Sequence, residues 1–277
     1  MKKLAYLLLL TTVTAFSQSP WTQKKGETYL QLSFTTIPTY SELFGNPDFT
    51  TERELNDNTL QLYAEYGISD KTTLIANLPF KFVASKDLVD ASAPVALTAE
   101  ESLTSLGNIQ FGVRHNFYNK KWLISGQLTI GANSGTFDAP SGLRTGYDAW
   151  TFTPTISVGR GFNDWYIQAF TGVDIRTNDY SSNFKLGGEV GYKAISWLWL
   201  AGFLDGVASF TNGDVIIPPT NALTGLYVND QSYAAFGLKL IGEFDDNFGA
   251  NFGFGGAFDG RRVAKSPALT LGLYYKL

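Results

Sequence analysis

"SLGNIQFGVRHNFYNKKWLISGQLTI", residues 105–130, holds two alternating segments joined by the short turn "YNKK" at 118–121. In the first segment Ile109, Phe111, Val113, His115 and Phe117 share one parity, while Asn108, Gln110, Arg114 and Asn116 share the other. In the second, Ser125, Gln127 and Thr129 carry the polar parity. A period of two places alternate side chains on opposite faces of a β-strand. The fold therefore depends on what covers the apolar face, another sheet or lipid.

Composition favours lipid. The chain has 277 residues, 15% of them aromatic and only 17% charged, with 28 glycines. Mean hydropathy is −0.05. The first residues, "MKKLAYLLLLTTVTAFSQS", join two lysines to a short apolar run and the small-residue triplet Ala15-Phe16-Ser17. That pattern predicts a signal peptide over 1–17, with residues 18–277 as one transmembrane barrel domain. Its apolar run, at about ten residues, is too short for a transmembrane helix, and no longer one follows. The chain has no cysteine and one histidine, which removes disulfides, thiol chemistry and His-rich metal centres. Net charge is −4 with scattered basic residues, so neither cofactor nor nucleic acid is expected as a partner.

Similar alternation recurs along the whole chain. It predicts strands at about 27–37, 58–67, 72–84, 106–118, 122–132, 149–160, 165–175, 184–193, 197–209, 231–243, 248–258 and 267–277. Twelve segments of roughly nine to thirteen residues suit a tilted, membrane-crossing, up-and-down antiparallel β-barrel. Short gaps (67–71, 118–121, 161–164, 194–196, 244–247) alternate with longer ones (38–57, 85–105, 133–148, 176–183, 210–230, 259–266). This is the pattern of periplasmic turns against extracellular loops in an outer-membrane barrel. Aromatics bracket the short gaps: Tyr66, Phe117 and Trp122, Phe162 and Trp165, Tyr192 and Trp197, Phe244 and Phe248. Amphipathic rings favour the headgroup level, so they predict a periplasmic girdle. The long gaps at 85–105 and 210–230 leave two readings, loops folded into the mouth or loops extended outside it.

The last strand, "TLGLYYKL" (270–277), sets Thr270, Gly272, Tyr275 and Leu277 in the order of a C-terminal barrel-assembly signal, with leucine where phenylalanine is usual. Barrel-assembly machinery and outer-membrane lipid are thus the expected partners, together with a small-molecule solute.

With the apolar parity toward lipid, the other parity lines a lumen. Its charged and amide candidates are Glu65, Lys81, Gln110, Arg114, Gln127, Asp174, Lys185, Glu189, Asp205 and Lys239. Asp205 is placed inward because a carboxylate facing lipid is costly. These groups have two readings. They line a permeation path, or Glu65 and Glu189 pair with Lys81, Arg114 or Lys239 and fill the bore. Twelve strands lie between the filled eight-stranded and open sixteen-stranded barrels, so the count does not decide.

A catalytic reading of His115 requires a nucleophile within hydrogen-bond reach. Residue 117 is Phe rather than Ser, and no serine lies near His115 on that outer face. No catalytic residue is assigned, and His115 is expected in the girdle.

The hairpin "LYAEYGISDKTTLIANLPF" (62–80) resembles the barrels labelled "MetA pathway of phenol degradation", transporters related in outline to FadL-like channels. Tyr66, Gly67, Asp70, Leu78, Pro79 and Phe80 carry the likeness, and "SLGNIQFGVRHNF" continues it, with Asn108 where the family usually has Asp. The resemblance covers residues 58 to about 135. It implies an outer-membrane location and uptake of small, aromatic or hydrophobic solutes by passive or facilitated diffusion. The alternative is a structural or adhesive surface barrel with a filled lumen. Residues 18–26 are too few for a plug of the full FadL kind, so a lumen without an N-terminal plug is expected.

Overall fold

The computed structural model describes residues 19–93 and 95–277; the expected signal peptide at 1–17 lies outside them. The strands are β1 (Thr28–Leu43), β2 (Phe49–Ser69), β3 (Thr72–Leu88), β4 (Glu101–Leu106), β5 (Gln110–Asn119), β6 (Leu123–Gly131) and β7 (Thr151–Gly161). They continue as β8 (Trp165–Arg176), β9 (Asn183–Ile195), β10 (Leu198–Ser209), β11 (Ser232–Glu243), β12 (Phe248–Arg261) and β13 (Ala268–Lys276). A one-turn helix, α1 (Pro219–Thr224), sits between β10 and β11. Among the described residues no helix is long and apolar enough to cross a membrane.

Each strand pairs antiparallel with its neighbours, and β1 pairs with β13 to close the ring. Closure removes the free edges that hydrocarbon could not hydrogen-bond. β4 and β5 form one stave: β3 pairs with β5 through Asn77↔Gln110 and with β4 through Phe80↔Leu106. The single strand expected at 106–118 is therefore broken at 107–109, and the barrel has twelve staves. At the break Asn108 turns its amide to the loop beyond β6, donating to the carbonyls of Ala132 (2.8 Å) and Tyr147 (2.9 Å) and accepting from the Tyr147 amide (2.7 Å).

The staves on the extracellular side run longer than the alternation predicted. β1 reaches Leu43 and β2 begins at Phe49, so most of the loop expected at 38–57 is strand; all of β4 but Leu106 likewise lies inside the expected loop 85–105. Ladder hydrogen bonds continue above the membrane, but there the outer face meets water. The sequence "TTERELNDN" accordingly loses its apolar parity.

Burial is inverted relative to a soluble protein. Phe111, Ile156, Leu204, Leu238 and Leu271 project outward and are 59–62% exposed, whereas the largest fully buried side chain is Arg114. Leaving that outer belt in water would forfeit about 25 cal/mol for each Å² of apolar surface, so it requires lipid. Tyr66, Phe117, Trp122, Trp165, Tyr192, Trp197 and Phe244 ring the short-turn end and are all exposed. His115 also lies on the outer face, its Nδ1 2.9 Å from Thr72 Oγ1 and its ring 5.0 Å from Phe117.

Candidate functional site: a polar chamber between two closures

The first closure comes from the segment ahead of β1. Residues 19–23 enter the short-turn end of the lumen, where Ser19, Trp21, Thr22 and Gln23 are buried. This corrects the expectation of a lumen without an N-terminal plug: a few residues suffice, because the wall supplies their partners. Arg114 donates through Nη1 to the Trp21 carbonyl (2.7 Å), and Ser125 Oγ donates to the Pro20 carbonyl (2.5 Å). The Gln23 amide donates to Thr73 Oγ1 (2.8 Å), and its side chain donates to Glu65 Oε2 (2.7 Å). A segment without regular structure can be buried only when its backbone polar groups are met in this way.

The approach is close enough to need glycine in the wall. A Cβ on Gly67 would stand 1.9 Å from the Lys24 carbonyl oxygen. The Trp21 ring completes an apolar layer with Tyr29, Tyr63, Ile75, Tyr166, Trp199, Ile241 and Tyr274, meeting Tyr166 edge-on at 5.8 Å. Reading the lumen as simply polar missed this layer. Its signal lay in the sequence: Tyr29, Tyr63, Tyr166, Trp199 and Tyr274 sit on the lumen parity near the short turns, and rings there need an apolar partner.

Eight of the ten candidate lumen residues fall into four groups. Glu65 and Arg114 form a fully buried pair at 3.0 Å in contact with the N-terminal segment, and Gln127 Oε1 accepts from Arg114 Nε at 2.9 Å. Glu189 pairs with Lys239 at 2.5 Å and accepts from Tyr166 (2.6 Å). Asp174 lies 3.6 Å from Lys185 and 3.5 Å from Arg176. Lys81 pairs with Asp57 rather than with Glu65 or Glu189. Asp205 also points inward, on the parity of Trp199 and Phe203, with Oδ1 against the Gly187 backbone. Gln110 accepts from Asn77 at 3.0 Å. Asp57 and Arg176 were not among the candidates. Asp57 fell in a stretch read as loop, and Arg176 in a loop just past a predicted strand end.

Above the N-terminal segment the bore opens into a chamber of about 320 Å³, whose lining includes Gln61, Asn77, Lys81, Gln110, Asp174 and Lys185. Its ceiling carries the rings of Tyr147, Tyr227 and Tyr233. Tyr147 meets Tyr227 edge-on at 5.3 Å, and the Tyr147 hydroxyl donates to Gln231 Oε1 at 2.6 Å. Burial pushes the Tyr147 and Tyr227 phenols above their ordinary value, so both remain neutral donors.

The second closure is extracellular. The 210–230 loop folds inward, and α1 docks on the 133–148 loop. Asn221, fully buried, accepts from Arg144 Nε (3.2 Å) and donates to the Leu226 carbonyl (2.8 Å), while Thr224 Oγ1 donates to the Gly142 carbonyl (2.9 Å). Leu143 and Leu226 pack with Tyr40, Leu43, Leu55 and Val83 from the staves. Outside this lid a hollow of about 920 Å³ opens among the loops at 43–49, 213–230 and 259–262.

In the last strand Thr270 and Gly272 face the lumen, whereas Tyr275 and Leu277 face outward in line with Leu269, Leu271 and Leu273.

No family model and no curated protein matches the chain. Solved structures do. The chain is similar to the COG4313 outer membrane channel from Pseudomonas putida F1, with a TM-score of 0.68 and 16% identity, covering 95% of this chain and 99% of that one. It is also similar to the NanC porin, with a TM-score of 0.54 and 7% identity over 89% of this chain and 100% of that one. The translocator domain of the autotransporter NalP from Neisseria meningitidis gives a TM-score of 0.54 at 12% identity, over 91% and 89% of the two chains. At these identities the likeness is one of fold: an outer-membrane β-barrel.

Proposed function

We propose that the barrel passes small solutes across the outer membrane through its lumen, and that the form described here is its closed state. The observation carrying this reading is the chamber of about 320 Å³, lined largely by polar residues and flanked at its two ends by segments that are not staves. A bore meant only to be filled would be filled by its wall. Here the closures are the N-terminal segment and two loops, elements that can move while the ladder stays intact. The volume sits at the lower end of small-molecule sites, which limits the solute to a compact molecule.

The pairs on the wall, Lys81–Asp57, Lys185–Asp174 and Lys239–Glu189, keep the path near electroneutral, so neither sign of ion is strongly favoured. The tyrosine ceiling offers π faces with hydroxyl edges, which suits a small aromatic solute bearing a polar group. The resemblance of the 62–80 hairpin to phenol-pathway barrels points the same way. The comparison chains described as an outer membrane channel and a porin support conduction as the class of activity. The final strand serves as the signal to barrel-assembly machinery.

The test is conductance in planar bilayers together with uptake by proteoliposomes of small neutral aromatics against similar-sized sugars. Brief openings and faster entry of the aromatics are expected. The second reading, a surface barrel with a permanently filled bore, draws on the fully buried Arg114–Glu65 pair and Trp21. Absence of both conductance and uptake would establish it instead.

A further inference from the structure

Arg160 is the one arginine of β7, and its side chain points outward, on the parity of Phe152, Ile156 and Val158. An outward cation is expensive at mid-bilayer and nearly free at headgroup level, where it can meet an anion. Arg160 stands at that level, one residue from the turn that joins β7 to β8. Its guanidinium lies 4.6 Å from the Phe162 ring centroid and 5.6 Å from that of Trp122. Phe162 is itself stacked on Trp165 at 3.9 Å with an interplanar angle of 5°. Rings answer the charge but accept none of the five N–H donors in the ordinary way. Among the described residues the Arg160 side chain has no hydrogen bond and no carboxylate within 4.0 Å.

Nearby charge makes the same demand. Strand pairing at Leu123↔Gly159 sets the 119–122 turn, with exposed Lys120 and Lys121, beside Arg160. Lys71 stands on the next turn, its carbonyl accepting from the Asn116 amide at 2.8 Å. Of the carboxylates on these three turns, Asp70 already accepts from the Lys25 amide at 3.1 Å, and Asp164 is exposed. The 244–247 turn, on the β11–β12 side of the rim, is acidic instead, with Asp245 and Asp246. Arg160, Lys120, Lys121 and Lys71 are thus neighbours on one side of the rim, above the apolar belt formed by Ile124 and Ile156, whereas Lys193 and Lys276 on the other side are paired with Glu243.

We propose that Arg160, flanked by Trp122, Lys120 and Lys121, binds the phosphate of an anionic phospholipid on the short-turn side of the membrane. The guanidinium edge takes two phosphate oxygens, Trp122 and Phe162 hold the cation in place, and the acyl chains lie along Ile124 and Ile156. A free phosphate would satisfy the cations but would leave that apolar face unused, so the lipid is the better occupant. This site does not depend on the channel reading.

The experiment is native mass spectrometry of the full chain in a neutral detergent with equimolar phosphatidylglycerol and phosphatidylcholine. Wild type is expected to retain phosphatidylglycerol about fivefold over phosphatidylcholine, the contribution of one cation at a membrane surface. Arg160→Ala should lose that preference. Lys265→Ala, which removes the same charge from the extracellular rim, should keep it. Arg160→Lys, which preserves charge and folding but not the two-pronged fork, should fall between and carries the test if Arg160→Ala does not fold. Equal retention of the two lipids by wild type, or a preference that survives both Arg160 variants, overturns the proposal. So does an Arg160-dependent adduct of the same strength formed with inorganic phosphate alone.

Discussion

Replacing Trp21 by alanine removes the apolar centre of the N-terminal closure without touching the ladder that holds the barrel. In the structure this indole is buried in a layer of rings from five staves and meets Tyr166 edge-on at 5.8 Å. Truncating a buried tryptophan costs about 3–5 kcal/mol. Because β1 to β13 are paired through their own backbones, that loss falls on the docked state of residues 19–23. At about 1.4 kcal/mol per decade the ratio of docked to undocked segment should fall by roughly two to three and a half orders of magnitude. The hydrogen bonds donated by Arg114 and Ser125, and the one that Gln23 donates to Glu65, remain, so the segment should loosen without being lost entirely. Single-channel recording should therefore show a much larger open fraction in Trp21→Ala, and hydrogen exchange should show faster exchange over residues 19–25. Heat-modifiable migration on gels should match wild type, since the staves are intact. Faster exchange combined with an unchanged open fraction would refute the idea that this segment closes the bore. Unchanged exchange would refute the energetic role given to Trp21.

Three further outcomes follow from particular contacts. Gly67→Ala places a methyl 1.9 Å from the position of the Lys24 carbonyl oxygen, so it should expel the segment and reproduce the Trp21→Ala conductance with a folded barrel; a wild-type open fraction contradicts this. Arg114→Met breaks a fully buried pair and strands the Glu65 carboxylate, a change that costs about 3–5 kcal/mol; urea unfolding should show it, and the double variant with Glu65→Gln should recover part of the loss. In the extracellular loops Asp48 and Lys265 meet at 2.6 Å, and that bond, helped by the Gly45 amide, holds the Asp48 carboxyl below its ordinary value. A carboxyl lowered by folding contributes stability above its unfolded pKa and loses it as pH falls through the folded one. An NMR titration should thus place the Asp48 midpoint below the usual carboxylate range, and Lys265→Ala should raise it; an unmoved midpoint counts against the pair.

The barrel was legible because lipid is a uniform solvent. Every stave must show it an apolar parity, whatever its neighbours are, so Ile109, Phe111 and Val113 carry the same message as Leu269, Leu271 and Leu273. Stave number, the spacing of short and long connections, and the aromatic rim all follow from that one-body rule. It stops where lipid stops, and for that reason the strand extensions around Leu43 and Phe49 and the stave portion 101–105 went unread.

Inside the bore the rule is a many-body one. Which cation meets which carboxylate is decided by ring closure and register, so that Lys81 finds Asp57 from the adjoining stave while Arg114 finds Glu65 two staves away and the Trp21 carbonyl. Residues 19–23 have no periodicity to betray them. They are buried because Thr73, Glu65, Arg114 and Ser125, far apart in the chain, converge on their backbone and side-chain polar groups, and because Gly67 leaves room. By itself the sequence determined a lipid-facing barrel with a polar interior. Only the tertiary structure decided that this interior is a chamber capped by residues 19–23 and by inward-folded loops, since those caps depend on partners brought together by the ring and not on any local pattern.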